Sequence, residues 1–297
     1  MHDKQETGES DPERAPSRQP TLYLVATPIG NLEDITLRAL RILKEADVIA
    51  CEDTRQTQKL LNHYAISTRT TSYHEHNEMT RSAELVKDIQ EGASVALVTD
   101  AGMPGISDPG YRLVTLAIRH HIPVVPIPGA SAFLSALVAS GLPTDSVHFA
   151  GFLPAKRGER RTVLQALSKS TSTEVFYEAP HRILETLADI SEILGETRPV
   201  VLARELTKLH EEFLRGSAAQ IRKTLETRDV IKGEITLLIG KAEPESLSRQ
   251  APRETVSRRV QEIMASENVD EKAALKKVAK ERGISKSEAY RELQQGR

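Results

Sequence analysis

Short apolar runs alternate with segments of helical periodicity, and this alternation constrains the fold more than any other feature of the sequence. The runs of the first half are Leu22–Ala26, Val48–Cys51, Ser94–Val98 and Ile122–Ile127, and a polar turn and a helical pattern follow each of them. Runs this short and this apolar are typical of strands buried on both faces of a sheet. Because helices join consecutive strands, the pattern predicts a mostly parallel α/β sheet.

The pattern changes near Gly141–Thr144, which divides the α/β region in two. We predict an N-terminal α/β domain over residues 21–141 and a second α/β domain over residues 142–242. Residues 1–20 contain no Val, Ile, Leu or aromatic residue, so they are expected to form a disordered leader. The Pro- and Ser-containing stretch 243–252 is interpreted as a linker.

Residues 253–297 have a different character and predict a small all-α domain. Asp270 is placed to cap one helix, and Ser285 and Glu288 form the pattern of a capping box that opens the next. A helix, a glycine turn and a second helix are typical of a helix-turn-helix shape. This tail holds 11 Lys and Arg against 8 Asp and Glu, a net charge of +3.

Composition excludes several classes of protein. The net charge is −2, so a nucleic acid must be met by a local basic patch rather than by a global field. The single cysteine, Cys51, excludes an internal disulfide framework and a cysteine zinc site, and His74 with His76 lacks further ligand spacing, so we expect no metal. No apolar run approaches the ~18 residues of a membrane helix, and no signal peptide is evident, which favours the cytoplasm.

Three glycine-bearing segments follow the ends of predicted strands: Thr27–Asn31, Asp100–Gly110 and Pro128–Ser131. The carboxyl edge of a parallel sheet is where ligands bind, so these loops predict a ligand cleft. Neither the G-x-G-x-x-G fingerprint nor the phosphate loop ending in Gly-Lys-Ser/Thr is present, which argues against nicotinamide and ATP. Asp100 at the head of the long loop is interpreted either as a ligand contact or as a turn-forming residue.

Charged clusters mark the second predicted domain. The segments Phe176–Arg182 and Leu202–Lys208 each end a predicted strand with acidic and basic side chains, which favours a shared functional edge. The segment Lys156–Arg161 contains four cations, and we expect it to contact RNA phosphates; the alternative is a solvated basic loop.

Several of these motifs together resemble the tetrapyrrole methylase superfamily, and within it the branch that 2′-O-methylates a cytidine ribose of 16S ribosomal RNA. The motifs are Leu24–Leu32, Cys51–Arg55, Val98–Gly110, Pro126–Ala132, Gly151–Pro154, Phe176–Arg182 and Ala203–Lys208. The resemblance implies two α/β domains with a cleft that holds S-adenosylmethionine, a homodimer, and the small ribosomal subunit or its 16S RNA as partner.

The resemblance also implies roles for individual residues. Donor contacts are expected from Pro28, Gly30, Asp100, Gly102, Ile106, Ser107, Ala130, Ser131, Tyr177, Glu178 and Ala203. Candidates for a base that accepts the ribose proton are Glu178, His181 and Glu205. RNA contacts are expected from Lys156, Arg157, Arg160, Arg161 and Arg182.

Two other functions stay open at this point. One is methylation of a corrin or porphyrin precursor in the same cleft, which would need neither the basic segment nor the tail. The other is a non-catalytic nucleic-acid-binding regulator, in which the tail would be the active part.

Overall fold

The computed structural model describes residues 19–242, 256–267, 269–282 and 285–295, which divide into two compact units after Ala242. Most of the predicted leader and the whole predicted linker lie outside the described residues. None of the helices in the described ranges is both long and apolar enough to cross a lipid bilayer.

The first sheet of the larger unit has five parallel strands, as the alternation of apolar runs and helices predicts. The strands are β1 (Leu22–Val25), β2 (Val48–Cys51), β3 (Thr70–Ser72), β4 (Val95–Leu97) and β5 (Val124–Ile127), and their spatial order is β3-β2-β4-β1-β5. The helices between them are α1 (Leu37–Glu45), α2 (Thr54–His63), α3 (Glu78–Gln90) and α4 (Tyr111–Arg119).

Alternate residues of these strands enter two separate apolar cores. Leu22 packs in one core with residues of α3 and α4, and Val25 packs in the other with residues of α1 and α2. Successive strand side chains point to opposite faces, so each strand must be apolar throughout to fill both cores. This is why the strands read as continuous apolar runs.

The second sheet of this unit is mixed. Its strands are β6 (Val147–Phe152), β7 (Thr173–Glu178), β8 (Pro199–Arg204), β9 (Glu212–Ser217) and β10 (Ile235–Ile239), and their spatial order is β6-β7-β10-β8-β9. Strand β10 runs antiparallel to both of its neighbours. One face carries α6 (Arg157–Ala166), α7 (Ile183–Leu194) and α8 (Ala218–Glu226), and the other carries α5 (Ala132–Ser140).

Two features of this region differ from the sequence-based expectation. Helix α5 falls inside the predicted N-terminal domain, yet its Ala136 and Leu137 pack in a core with Val175 and Leu238 of the second sheet. The basic segment 156–161, expected as a loop, instead forms the N-cap and first turns of α6. Both follow from tertiary packing, because each helix gains a sheet or a helix to cover its apolar side.

The smaller unit is a bundle of three helices, α9 (Val256–Glu267), α10 (Glu271–Arg282) and α11 (Lys286–Gln295), around its own apolar core. The predicted caps are confirmed. The Ala273 amide donates to Asp270 Oδ1 at 2.8 Å, and Ser285 and Glu288 hydrogen-bond reciprocally as a capping box. The described part of the C-terminal region is therefore helical, as expected, and the predicted glycine turn at Gly283 lies outside the described residues.

Candidate functional site

The connections of the first sheet diverge between β1 and β4, and this is where a cavity lies. The chain leaves β1 toward β2 on one side, and it leaves β4 toward β5 on the other. Such a switch point leaves an open crevice at the carboxyl ends of the two strands, where ligands bind in open α/β sheets. The loops after β1 and β4 supply Ile29 and residues 101–103 and 106–108 of the cavity lining.

The three predicted loops converge at this edge. The Thr27 and Gly102 backbones form a two-bond bridge, with N–O distances of 2.9 and 3.0 Å, that fastens the first loop to the second. The third loop approaches the first at Gly129, where an added Cβ would lie 2.9 Å from Ala26 Cβ. Glycine is therefore required at this close approach.

The second sheet forms the opposite wall of the cavity. Tyr177, Glu178 and Ala179 come from the end of β7, and residues 233–236 come from the start of β10. Because β10 is antiparallel to β7, its first residues lie beside the last residues of β7, with Thr236 opposite Tyr177. The cavity has a volume of about 390 Å³, in the range of small-molecule sites.

The charge of the lining is one-sided. Asp108, Glu178 and Glu234 line the cavity, and among the described lining residues there is no Lys, Arg or His. The remaining lining is largely apolar and includes Phe152 and Ile106. Such a cavity suits a ligand that carries a positive charge on an apolar frame, and it disfavours phosphate groups.

Asp108 is a cavity carboxylate whose ionisation the fold alters clearly. Burial raises the pKa of Asp108 to about 6, a hydrogen bond with Thr99 lowers it in part, and the nearby charges of Glu52 and Asp100 raise it further. The neighbouring Ser107 has a φ of 61°, in the left-handed region that non-glycine residues rarely adopt. The loop thus holds Asp108 half-buried at the cavity.

Glu178 is held by groups behind the cavity wall. Arg182 Nε donates to Glu178 Oε1, and the Thr186 hydroxyl donates to Glu178 Oε2 at 2.7 Å. A second guanidinium nitrogen of Arg182 donates to the Leu153 carbonyl at 2.8 Å. The carboxylate is therefore engaged as a structural group, and Arg182 is turned inward instead of toward solvent and RNA.

Glu205 lies in the segment 205–208 after β8, which joins the two halves of the unit. Lys208 Nζ lies 2.9 Å from Glu205 Oε1 and 3.2 Å from Glu234 Oε2. The hydrogen bond from Lys208 holds the pKa of Glu205 below its ordinary value, which weakens it as a proton acceptor. An added Cβ on Gly30 would collide with the Lys208 side chain, so glycine at this position allows the segment 205–208 to lie against the loop after β1.

The predicted donor contacts divide into two groups. Those that line the cavity are Gly102, Ile106, Ser107, Ser131, Tyr177 and Glu178. Those outside the lining are Pro28, Gly30, Asp100, Ala130 and Ala203. Ala203 is fully buried in β8, and Asp100 accepts a hydrogen bond from the Asp53 amide at 3.2 Å, at the rim. His181, a base candidate, is exposed and does not line the cavity.

The cations of α6 are paired with carboxylates of α7. Asp189 accepts hydrogen bonds from Arg157, Arg160 and Arg161, and Arg161 also pairs with Glu192. Arg160 is completely buried, so its predicted contact with RNA is wrong: a guanidinium beneath the surface cannot reach a phosphate. Lys156 and Arg157 keep 82% and 67% of their side chains exposed.

Several lining residues were missing from the sequence-based site. Asp108 stood within a recognised motif, but only the folded loop shows that it is half-buried at the cavity. Residues 233–236 were missed because an antiparallel β10 brings the beginning of a strand to the edge where its neighbours end. Gly233 and Glu234, directly before the buried strand β10, were the sequence feature that could have indicated this part of the site.

Curated relatives match most of the chain. A protein of Halalkalibacterium halodurans named ribosomal RNA small subunit methyltransferase I is 55% identical over 231 residues, 76% of this chain and 79% of its own. A protein of Mesorhizobium japonicum with the same name is 53% identical over 228 residues, 77% of this chain and 78% of its own.

A solved structure and a family model agree on the fold. The uroporphyrin-III C-methyltransferase of Thermus thermophilus superposes with a TM-score of 0.52 at 23% identity, covering 75% of this chain and 94% of its own. The family model described as tetrapyrrole (corrin/porphyrin) methylases matches residues 21–222, which run from β1 into α8 and so include the first sheet and four strands of the second. The chain belongs to the tetrapyrrole (corrin/porphyrin) methylase family.

Proposed function

We propose that this protein transfers a methyl group from S-adenosylmethionine to the 2′-hydroxyl of a cytidine in 16S ribosomal RNA. The observation that carries the proposal is the identity of 55% over 76% of the chain with a relative named ribosomal RNA small subunit methyltransferase I. The activity belongs in the cytoplasm, where ribosomal subunits are.

The cavity fits the methyl donor. S-adenosylmethionine supplies a methyl group bonded to a positively charged sulfur. Asp108 gives the cavity the opposite charge, and the apolar surfaces of Ile106 and Phe152 suit an uncharged nucleoside frame. The chain's main contribution is to hold donor and ribose in line, and such positioning supplies about 7–11 kcal/mol of barrier reduction.

Labelled methyl transfer tests this function. Small ribosomal subunits from a strain that lacks the modification are incubated with the protein and labelled donor. We expect label on a ribose, recognised because a methylated 2′-oxygen makes the adjoining phosphodiester resistant to alkali. Label on a base, or transfer only to a porphyrin precursor, would contradict the proposal. Donor binding without any transfer would favour a non-catalytic regulator.

The RNA meets the protein at the mouth of the cavity. Phe152 lines the cavity and is 59% exposed as a residue, and its ring lies 5.6 Å from the Tyr177 ring, which offers a stacking surface to a splayed base. Lys156 and Arg157 follow a few residues later and remain exposed for phosphate contact. The helix-turn-helix-like tail, with its charge of +3, is a second RNA contact in this proposal.

Replacement of Lys156 and Arg157 by alanine is expected to weaken RNA binding without affecting the donor. Each phosphate contact contributes about 0.7 to the slope of log affinity against log salt for single-stranded RNA, so two lost contacts lower the slope by about 1.4. Filter binding over a salt series measures the slope. The control, Arg222→Ala with Lys223→Ala on α8, removes two exposed cations from a helix that does not line the cavity. An equal loss in both double variants would contradict a specific contact.

We also propose that the protein is a homodimer that covers the outer face of α5. Leu134 and Val138 lie one helical turn apart, and Val138 is 78% exposed. Light scattering should give the mass of two 32.8 kDa chains for the wild type and of one chain for Val138→Glu. Met79→Glu, at an exposed apolar site on α3, is the control that should stay dimeric. A monomeric wild type would contradict the proposal.

A further inference from the structure

The carboxylates around the cavity differ in whether a cation already holds them. Glu178 is hydrogen-bonded to Arg182, and Glu234 is paired with Lys208. Asp108 is surrounded differently, because Thr99, Glu52, Asp100 and Tyr177 are the groups that act on its ionisation or are acted on by it. Asp108 thus lines the cavity, and within the described part of the chain none of these groups around it is a Lys, Arg or His.

The position of Asp108 suits contact with the reacting atoms. It lies on the long loop after β4 and lines the cavity together with Tyr177 from the end of β7, whose pKa its charge raises. Thr99, just after β4, hydrogen-bonds the Asp108 side chain, and its hydroxyl also lies 3.5 Å from Glu52 Oε2. Asp108 is therefore tied to the first sheet through Thr99 and is part of the lining of a cavity that both sheets form.

We infer that Asp108 is the catalytic base that accepts the proton of the ribose 2′-hydroxyl. This inference rests on the proposed function and replaces Glu178, His181 and Glu205 as the candidate. In the transfer step the 2′-oxygen forms a bond to the methyl carbon as the methyl–sulfur bond breaks. The electron pair of the broken bond stays on sulfur, the hydroxyl proton goes to Asp108, and Asp108 then releases it to solvent.

The acid–base properties of the site agree with this role. Burial and the charges of Glu52 and Asp100 raise the pKa of Asp108 to about 6, so the group is ionised at neutral pH yet more basic than an exposed aspartate. A bound sulfonium favours the ionised form and moves this value downward. Glu178 and Glu234 share the cavity, but Arg182 and Lys208 compensate their charges.

The test compares Asp108→Asn with Asp145→Asn, which removes an exposed carboxylate outside the cavity lining. We expect Asp108→Asn to lower kcat about 10²–10⁴-fold, the usual contribution of a general base. The KM for small subunits should stay within about threefold of the wild type, and so should the calorimetric Kd for S-adenosylhomocysteine, which is measured without turnover. Asp145→Asn should leave all three values unchanged.

The pH profile separates a base from a merely structural residue. Wild-type kcat should fall as the pH drops through the pKa of Asp108 in the donor complex, which the sulfonium places below about 6, and well below that pKa the fall should approach tenfold per unit. Asp108→Asn should lose this limb, and its rate should rise with hydroxide instead. A variant that keeps its rate, or that loses donor affinity with kcat retained, would overturn the assignment while leaving the proposed function intact. A wild type that transfers no methyl group to ribose would overturn both.

Discussion

Arg182→Ala is expected to lower the free energy of unfolding by about 3–5 kcal/mol, because it leaves a buried carboxylate without its cation. The Glu178 side chain is fully buried, and after the change it keeps only the Thr186 hydroxyl and the Ala179 amide. The Leu153 carbonyl also loses its donor, directly after the cavity residue Phe152. Denaturant unfolding followed by circular dichroism measures the loss.

The companion variants separate a structural Arg182 from an RNA-binding one. Glu178→Gln removes the charge that Arg182 balances, so the Glu178→Gln, Arg182→Ala double variant should lose less stability than the sum of the two single variants. Lys156→Ala, at an exposed cation, should leave unfolding nearly unchanged. If Arg182→Ala weakens RNA binding with an unchanged unfolding midpoint, Arg182 is an RNA contact and the inward role is wrong.

The first sheet and its loops could be predicted because their determinants are local. A strand buried on both faces must be apolar throughout, and a loop that approaches another backbone needs glycine, as Gly129 does beside Ala26. Both requirements can be recognised from a few consecutive residues of the sequence. The edge at which ligands bind then follows from the parallel topology.

The direction of a strand in the second sheet could not be predicted in the same way. The direction of β10 depends on its neighbours β7 and β8, and its apolar residues are the same in either direction. Yet that direction decides whether residues 233–236 or residues near Ile239 reach the cavity. Asp108 is a similar case, because its burial and its place beside Tyr177 in the cavity lining depend on how the loop after β4 folds against the second sheet.

The sequence shows how many cations the start of α6 carries, but it does not show which of them are free to contact RNA. Counting the charges of Lys156–Arg161 shows four cations and one carboxylate, Glu159. The fold then brings three carboxylates of α7 against these cations: Glu185, Asp189 and Glu192. They lie on one face of α7, about 30 residues further along the chain. Only a helix pairing that the sequence does not display distinguishes a phosphate-binding arginine from a buried one.

Asp189→Ala tests this helix pairing and should be at least as damaging as Arg182→Ala. The Asp189 side chain is 1% exposed and binds the equally buried Arg160 through two nitrogens, at 3.0 and 2.8 Å. Its removal leaves the buried Arg160 guanidinium with only the exposed Glu185 carboxylate, 3.5 Å away, as a counter-charge, at a cost of about 3–5 kcal/mol. Denaturant unfolding measures the loss, and Glu192→Ala, at an exposed carboxylate beside the same arginines, should change it little.

The acid dependence of unfolding adds a second measurement. Burial raises the pKa of Asp189, but the hydrogen bonds from Arg160, Arg161 and Arg157 outweigh this and lower it below the ordinary 3.8. A lowered pKa in the folded state stabilises the fold above pH 3.8, and this stabilisation is lost as the pH falls through the folded value. Asp189→Ala should therefore remove part of the acid sensitivity of the wild type.

A double variant shows whether the charge or the packing matters. Arg160→Met with Asp189→Leu replaces the buried pair by apolar side chains, so no unpaired charge remains beneath the surface, and most of the lost stability should return. Arg157, which is largely exposed, keeps access to water. If the double variant is as unstable as Asp189→Ala while RNA binding is lost in Arg160→Met alone, the guanidinium reaches the RNA and its burial against α7 is wrong.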